Sequence, residues 1–213
     1  MTENERYVAY INSLEQENPS YLSQLETYAK ETGVPVIRKQ MQSLLRVLLT
    51  LHRPKDILEV GTAIGFSALF MSEYGGGGCH ITTIEKYEKR IPQARENFRR
   101  AGKEEQITLL EGDAAQILPE LSGSYDLIFM DAAKGQYLHF LPDVLRLLRS
   151  GGILVSDNVL QDGEIIESRF AVTRRNRTIH GRMREYLYEL KHNEALETVI
   201  LTLGDGTAVS VKK

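Results

Sequence analysis

Three side chains with hard oxygen atoms follow two apolar runs. Asp131 comes after Tyr125–Met130, and Asp157 with Asn158 after Gly152–Ser156. If the runs are neighbouring strands, the three oxygens share one place, and magnesium or calcium favours such ligands with water or substrate completing the shell. The competing reading is that Asp157-Asn158 caps a following helix, although a cap needs neither both residues nor Asp131. No His or Cys cluster lies nearby in the chain, which disfavours zinc. Farther upstream stands Glu59-Val60-Gly61-Thr62-Ala63-Ile64-Gly65-Phe66-Ser67. Gly61 and Gly65 allow a tight turn and close approach to a ligand, with Ser67 in the first turn of a helix. Ala63 and Phe66 break the dinucleotide pattern G-x-G-x-x-G, so a hydride-transferring dehydrogenase is disfavoured. Glu59 suits an ammonium-bearing ligand better than a pyrophosphate. Glu85, after the next run, can accept two hydrogen bonds from a ribose diol. Gly112-Asp113-Ala114 stands where it can meet an adenine edge. Each acid alone reads as well as a solvated loop residue or a helix cap; together, on successive strand ends, they describe a nucleoside pocket.

Those positions need a scaffold. After Pro54, short β-rich runs alternate with helical stretches: Asp56–Val60, a helix from about 64 to 74, His80–Ile84, a helix from about 87 to 101, and Ile107–Leu110. A short helix after Ala114, Tyr125–Met130, a helix from about 136 to 148, and Gly152–Ser156 follow. Such alternation implies βαβ units and a mostly parallel sheet, whose ligands bind outside the carboxyl ends of the strands. Glu197–Leu203 and Thr207–Val211 flank Gly204-Asp205-Gly206, which reads as a tight antiparallel hairpin closing the sheet. Gly75–Gly78 reads as a flexible connector. The first fifty residues read as three helices with apolar stripes at Tyr7, Ile11, Leu14; at Leu22, Leu25, Ala29; and at Ile37, Met41, Leu44, Leu45, Leu48. They form a structural cap, in which Asn18 accepts an orphan N–H at the start of the second helix and Pro19 fits its first turn.

At 213 residues, 42% hydrophobic and 26% charged, the chain has an ordinary globular composition and can bury about 70% of its unfolded surface without a staple. The single cysteine, Cys79, excludes an internal disulfide and fits a reducing compartment. The polar start Met1-Thr2-Glu3-Asn4-Glu5-Arg6 is no secretory signal, and no apolar run approaches the ~20 residues of a spanning helix. The expectation is a cytoplasmic protein without a membrane partner. Net charge is −3, yet Ser168–Arg184 holds six arginines and no acid, so the rest of the chain carries −9. A segment this basic suits phosphate contacts with RNA, for which Arg174, Arg175, Arg177 and Arg182 are the candidates. The alternatives are a solvated helix face paired with acids and a coenzyme A partner.

The motifs Glu59–Ser67, Glu85, Gly112-Asp113-Ala114, Asp131-Ala-Ala-Lys134 and Asp157-Asn158 resemble the magnesium-dependent class I O-methyltransferases, the catechol and caffeoyl-coenzyme A enzymes among them. More narrowly, Asp131-Ala-Ala-Lys-Gly-Gln-Tyr137, the arginine-rich stretch with Tyr186 beyond it, and the Gly204–Gly206 turn are similar to bacterial tRNA 5-hydroxyuridine methyltransferases. The resemblance implies a single S-adenosylmethionine-dependent domain over residues 1–213. A Rossmann-like core (53–213) would hold a mostly parallel seven-stranded sheet with a C-terminal antiparallel hairpin, under an N-terminal helical cap (1–52). It implies that Val36, Glu59, Gly61, Thr62, Ser67, Glu85, Asp113, Ala114 and Asp131 hold the cofactor. Asp131, Asp157 and Asn158 would bind Mg²⁺, and Lys134, with Asp131 beside it, would be the catalytic base. A dication and a sulfonium nearby both disfavour a second ammonium, so the lysine amine can take a proton. The narrower likeness implies methylation of 5-hydroxyuridine at the tRNA wobble position to 5-methoxyuridine, in an unstacked anticodon loop. The alternative is a small catechol-like or caffeoyl-coenzyme A-like acceptor. The family likeness also favours a homodimer.

Overall fold

The computed structural model describes residues 3–213; Met1 and Thr2, part of the polar start, lie outside them. Helices α1 (Glu3–Ser13), α2 (Ser20–Thr32) and α3 (Lys39–His52) precede the sheet. The core then alternates β1 (Asp56–Val60), α4 (Phe66–Tyr74), β2 (His80–Glu85), α5 (Ile91–Arg100), β3 (Ile107–Glu111), α6 (Ala114–Glu120) and β4 (Tyr125–Met130). A 3₁₀ turn at Lys134–Gln136 leads into α7 (Tyr137–Leu147) and β5 (Leu148–Asp157). A second 3₁₀ turn (Gln161–Ile166), α8 (Arg177–His192), β6 (Leu196–Leu201) and β7 (Thr207–Lys212) complete the fold.

The seven strands lie in the order β3-β2-β1-β4-β5-β7-β6. The first five are parallel, and β7 runs antiparallel to both β5 and β6. Side chains alternate across the sheet, so successive residues feed two cores. Ile57, Ile81, Leu127 and Phe129 pack with α2, α3, α4 and α5, whereas Leu58, Ile84, Ile128 and Met130 pack with α6, α7 and α8. This is the three-layer arrangement that the alternation predicts. α4 starts at Phe66, later than expected, because Gly65 turns left-handed at φ 86°. α5 starts at Ile91, where Pro92 fits its first turn. The C-terminal connection is a five-residue loop, 202–206, two residues longer than the expected Gly204-Asp205-Gly206 turn because β6 ends at Leu201.

Two expectations for the cap do not hold. Asn18 does not cap α2, whose N-terminal position is Pro19 with no side-chain cap bond. It is buried instead, donating to Gln42 Oε1 at 2.9 Å and accepting from Arg46 Nη2 and Tyr74 Oη, both at 3.1 Å. A short amide can serve local or distant partners, and burial between α3 and α4 selects the distant ones. Nor does the apolar stripe of α1 join the core: Tyr7, Tyr10, Ile11 and Leu14 are 51–65% exposed. Among the described residues no helix is long and apolar enough to cross a membrane.

Asn18→Ala removes a buried partner from each of Gln42, Arg46 and Tyr74, at a cost of about 1–3 kcal/mol. A thermal melt of the ligand-free protein should show a midpoint lower by several degrees. An unchanged midpoint would mean that these bonds add nothing net.

Candidate active site

The strand order turns back at β1, with β2 on one side and β4 on the other, which is where open α/β sheets bind ligands. A cavity of about 510 Å³ opens over these strand ends. Val36, Gly61, Thr62, Ser67, Glu85, Asp113, Ala114, Asp131, Lys134, Asp157 and Asn158 all line it.

Its floor is tight. A Cβ on Gly61 would stand 2.1 Å from the Asp131 carbonyl oxygen, so only glycine lets the end of β4 come this close. Gly65 is bare for a reason that differs from the sequence expectation: a Cβ there would meet the Phe98 ring of α5 at 2.4 Å, so its space is filled by packing and not by a ligand.

Glu59 is fully buried beneath the cavity rather than lining it. Thr83 Oγ1 donates to its Oε2, and Thr83 also bonds Thr62 Oγ1 at 2.6 Å, which links the buried acid to the cavity wall. Burial pushes the Glu59 carboxyl up to about 7; the Ser67 and Thr83 hydroxyls oppose the shift, and the charges of Asp131 and Glu85 add to it. Its Oε1 is buried without a hydrogen-bond partner. An orphaned oxygen on a buried acid is a place for a cationic donor, which fits the methionine end of S-adenosylmethionine. Thr83 was not singled out in the sequence; its one signal is a hydroxyl inside an apolar strand.

Glu85 shapes the wall. Its Oε2 accepts the Ala63 N–H at 2.7 Å, holding that residue at φ 48°, and its Oε1 accepts the Tyr87 N–H at 2.8 Å. Each oxygen keeps a lone pair for a diol. Asp113 does what the cap alternative foresaw: it accepts from Ala115 N at 2.9 Å at the start of α6 and pairs with Lys86 at 3.3 Å. That backbone bond, then Lys86, lowers its carboxyl.

At the other end of the cavity, Lys134 Nζ donates to Asp131 Oδ1 at 3.0 Å, to Asn158 Oδ1 at 2.8 Å and to Tyr137 Oη at 3.3 Å. Two of the three expected metal-ligand residues thus turn an oxygen toward a single cation. Asp157 is pushed up to about 6, first by burial and then by Asp131; the Asn158 N–H bond, Lys134 and Arg38 pull it down. Asp157 and Asn158 cap no helix. Asn158 takes the left-handed conformation at φ 55° while its N–H bonds Asp157 Oδ1, and the following 3₁₀ turn has no side-chain cap. Two carboxylates and an amide oxygen suit a hard dication. Among the described residues, no three His, Cys, Asp or Glu side chains gather to hold a metal.

The arginines divide. Arg177 Nε donates to Val172 O at 3.2 Å, Arg182 Nη1 to Gly135 O at 3.0 Å and Arg184 Nη1 to Ile165 O at 3.1 Å, so these three fasten backbone. Arg169, Arg174 and Arg175 are exposed and make no ion pair among the described residues.

The family model for O-methyltransferases matches residues 12–213. The chain is 31% identical over 194 residues to a catechol O-methyltransferase of Niastella koreensis, covering 86% of each. It is 31% identical over 181 residues to a caffeoyl-CoA O-methyltransferase of Medicago sativa, covering 78% of this chain and 70% of that one. The SAH-bound methyltransferase PaMTH1 of Podospora anserina superposes with a TM-score of 0.88 at 26% identity, over 100% of this chain and 97% of that one.

Glu59 yields a prediction. With its folded value near 7 and an ordinary value of 4.5, its contribution to stability is complete below about pH 4.5 and is lost as pH rises through 7, by roughly 3 kcal/mol in all. Denaturant titrations of ligand-free protein at pH 5 and pH 8 should show this fall in the wild type and a smaller one in Glu59→Gln. Equal falls would show that Glu59 is ordinary.

Proposed function

The chain belongs to the O-methyltransferase family, and on that premise we propose that it moves the methyl group of S-adenosylmethionine onto a hydroxyl that stands beside a second oxygen. The observation that carries this is the pair of oxygens, Asp131 Oδ1 and Asn158 Oδ1, turned toward one cation on the wall of the cavity that Glu85, Asp113 and Ser67 share. Mg²⁺ held by Asp131, Asp157 and Asn158 would supply a fixed position for the two acceptor oxygens and a more acidic hydroxyl. Gly61, Thr62 and Ser67, with Glu59 beneath them, would hold the methionine end, near Val36. Glu85 would take the ribose hydroxyls, and Asp113 and Ala114 would flank the adenine. Lys134 would accept the proton of the acceptor hydroxyl as its oxygen gains the methyl carbon and the sulfonium leaves as a neutral thioether.

A small catechol-like acceptor is the reading that the catechol and caffeoyl-CoA relatives support by name. A second reading, 5-hydroxyuridine in a tRNA anticodon loop, draws on Arg169, Arg174 and Arg175, which offer charge in the segment that follows the proposed metal ligands. Its 5-hydroxyl beside the 4-carbonyl makes the same vicinal pair as a catechol. The uncovered stripe on α1 supports a homodimer, which a monomeric mass in analytical ultracentrifugation would remove.

The test is labelled-methyl transfer to catechol, caffeate and hydroxyuridine-containing tRNA. Chelation should abolish transfer and Mg²⁺ or Mn²⁺ restore it; full activity in excess EDTA would end the metal assignment. Lys134→Ala should cost about 10²–10⁴ in rate while cofactor affinity stays within a few-fold.

The arginine reading has its own variant. Arg177 is left in place because it holds the Val172 carbonyl. Replacing Arg169, Arg174 and Arg175 together by Ala should weaken tRNA methylation and flatten its salt dependence, with catechol turnover unaltered. Unchanged tRNA methylation, or none by the wild type, leaves the small acceptor standing.

A further inference from the structure

Tyr137, the first residue of α7, is fully buried, yet its hydroxyl stands at the junction of three functional pieces. It lies 2.9 Å from the carbonyl oxygen of Met130, the last residue of β4, and 3.1 Å from that of Asp157, the last of β5. It also lies 3.3 Å from Lys134 Nζ, which sits 5.4 Å from the centre of its ring. A phenol has one hydrogen to give, and carbonyls can only accept. The hydrogen is therefore committed to a strand end, and the oxygen can only accept from Nζ. The ring is itself braced. Tyr186 stands edge-on at 5.4 Å and 72°, with its own hydroxyl bonded to Ser156 Oγ at 2.7 Å.

We propose that Tyr137 is a positioning residue for the methyl transfer: its hydroxyl oxygen tethers the Lys134 side chain so that Nζ is held at the cavity wall, facing the acceptor hydroxyl. The proposal rests on the assignment of Lys134 as proton acceptor made above. Of the three oxygens that hold Nζ, those of Asp131 and Asn158 are the ones assigned to a divalent cation. Tyr137 is the remaining one, on a rigid floor shared by both ligand-bearing strands. An N–H given to an oxygen that can only accept fixes the direction of Nζ, on a side chain that lines the cavity. The proton then passes from the acceptor O–H to Nζ, which becomes an ammonium, while the acceptor oxygen gains the methyl carbon and the sulfur–carbon bond breaks. A lysine carries four flexible methylenes, so without the tether the amine would sample many positions.

The test is Tyr137→Phe, which keeps the ring and deletes one oxygen. On catechol, kcat should fall about 10-fold, the order of one hydrogen bond to a charged group, with the KM values for S-adenosylmethionine and catechol within about twofold. On 4-nitrocatechol, acidic enough to ionise unaided, the loss should shrink toward none. An equal loss on both acceptors would mark a merely structural role and overturn the proposal, as would an unchanged kcat. A second readout needs no turnover: acetylation of Lys134 by acetic anhydride, followed by peptide mass spectrometry. In Mn²⁺-saturated enzyme, labelling should rise several-fold in the variant; equal labelling would count against the tether. If the Phe variant melts below assay temperature, 3,5-difluorotyrosine at position 137 weakens the acceptor without removing it, and the same acceptor-dependent loss is expected at smaller size. Should wild-type enzyme methylate no acceptor with any divalent cation, the functional reading fails, and the labelling arm alone decides whether Tyr137 holds the amine.

Discussion

Asp131 and Asp157 end adjoining parallel strands, and their like charges must be answered by a cation. Water cannot screen them well, because Asp157 is buried and Asp131 is half-buried. In this structure the Lys134 ammonium answers Asp131 and Asn158 directly, and its charge, with that of Arg38, eases the strain on Asp157. Much of the surrounding structure serves to bring these groups together. Gly61 lets β4 close on β1, the left-handed Asn158 turns its amide oxygen back, and the 3₁₀ turn presents the lysine.

The end of the cavity proposed for the nucleoside works on a different principle. Its acids are engaged before any ligand is considered: Glu85 with two backbone N–H groups and Asp113 with the first turn of α6. They stiffen the loops after β1, β2 and β3, leaving spare lone pairs facing the cavity. Glu59 is the exception, being buried, pushed up by that burial and one bond short. It is linked to the cavity wall through the hydroxyls of Thr83 and Thr62.

The parallel core was legible because each buried strand is a short apolar run closed by a glycine or an acid. β1 and β4 fall on the expected residues, and the other strands within a few positions. The ligand-facing residues were legible for the same topological reason, since strand ends in such a sheet share one opening. What could not be read depends on partners far apart in the chain. Asn18 looks like a cap until Gln42, Arg46 and Tyr74 surround it. Arg177 and Arg182 look like free charge until Val172 and Gly135 offer carbonyls. The stripe on α1 satisfies helical periodicity, and periodicity says nothing of which side the body lies on. Thr83 and Tyr137 act through contacts in three dimensions that no spacing announces.

The two ends of the cavity are also built from separate stretches of chain. Apart from Val36 and its neighbours, the proposed nucleoside-binding groups come from residues 59–114, and the proposed metal and proton-accepting groups from 131–158. The segment that follows, 160–176, is fastened to α8 by Arg177 and Arg184, and α8 in turn clasps the Lys134 turn through Arg182. Such a layout is modular. Among the described residues none of 160–176 lines the cavity, so a change in their length or charge can reach the Lys134 turn through α8 and its Arg182 bond while the groups of 59–114 stay as they are.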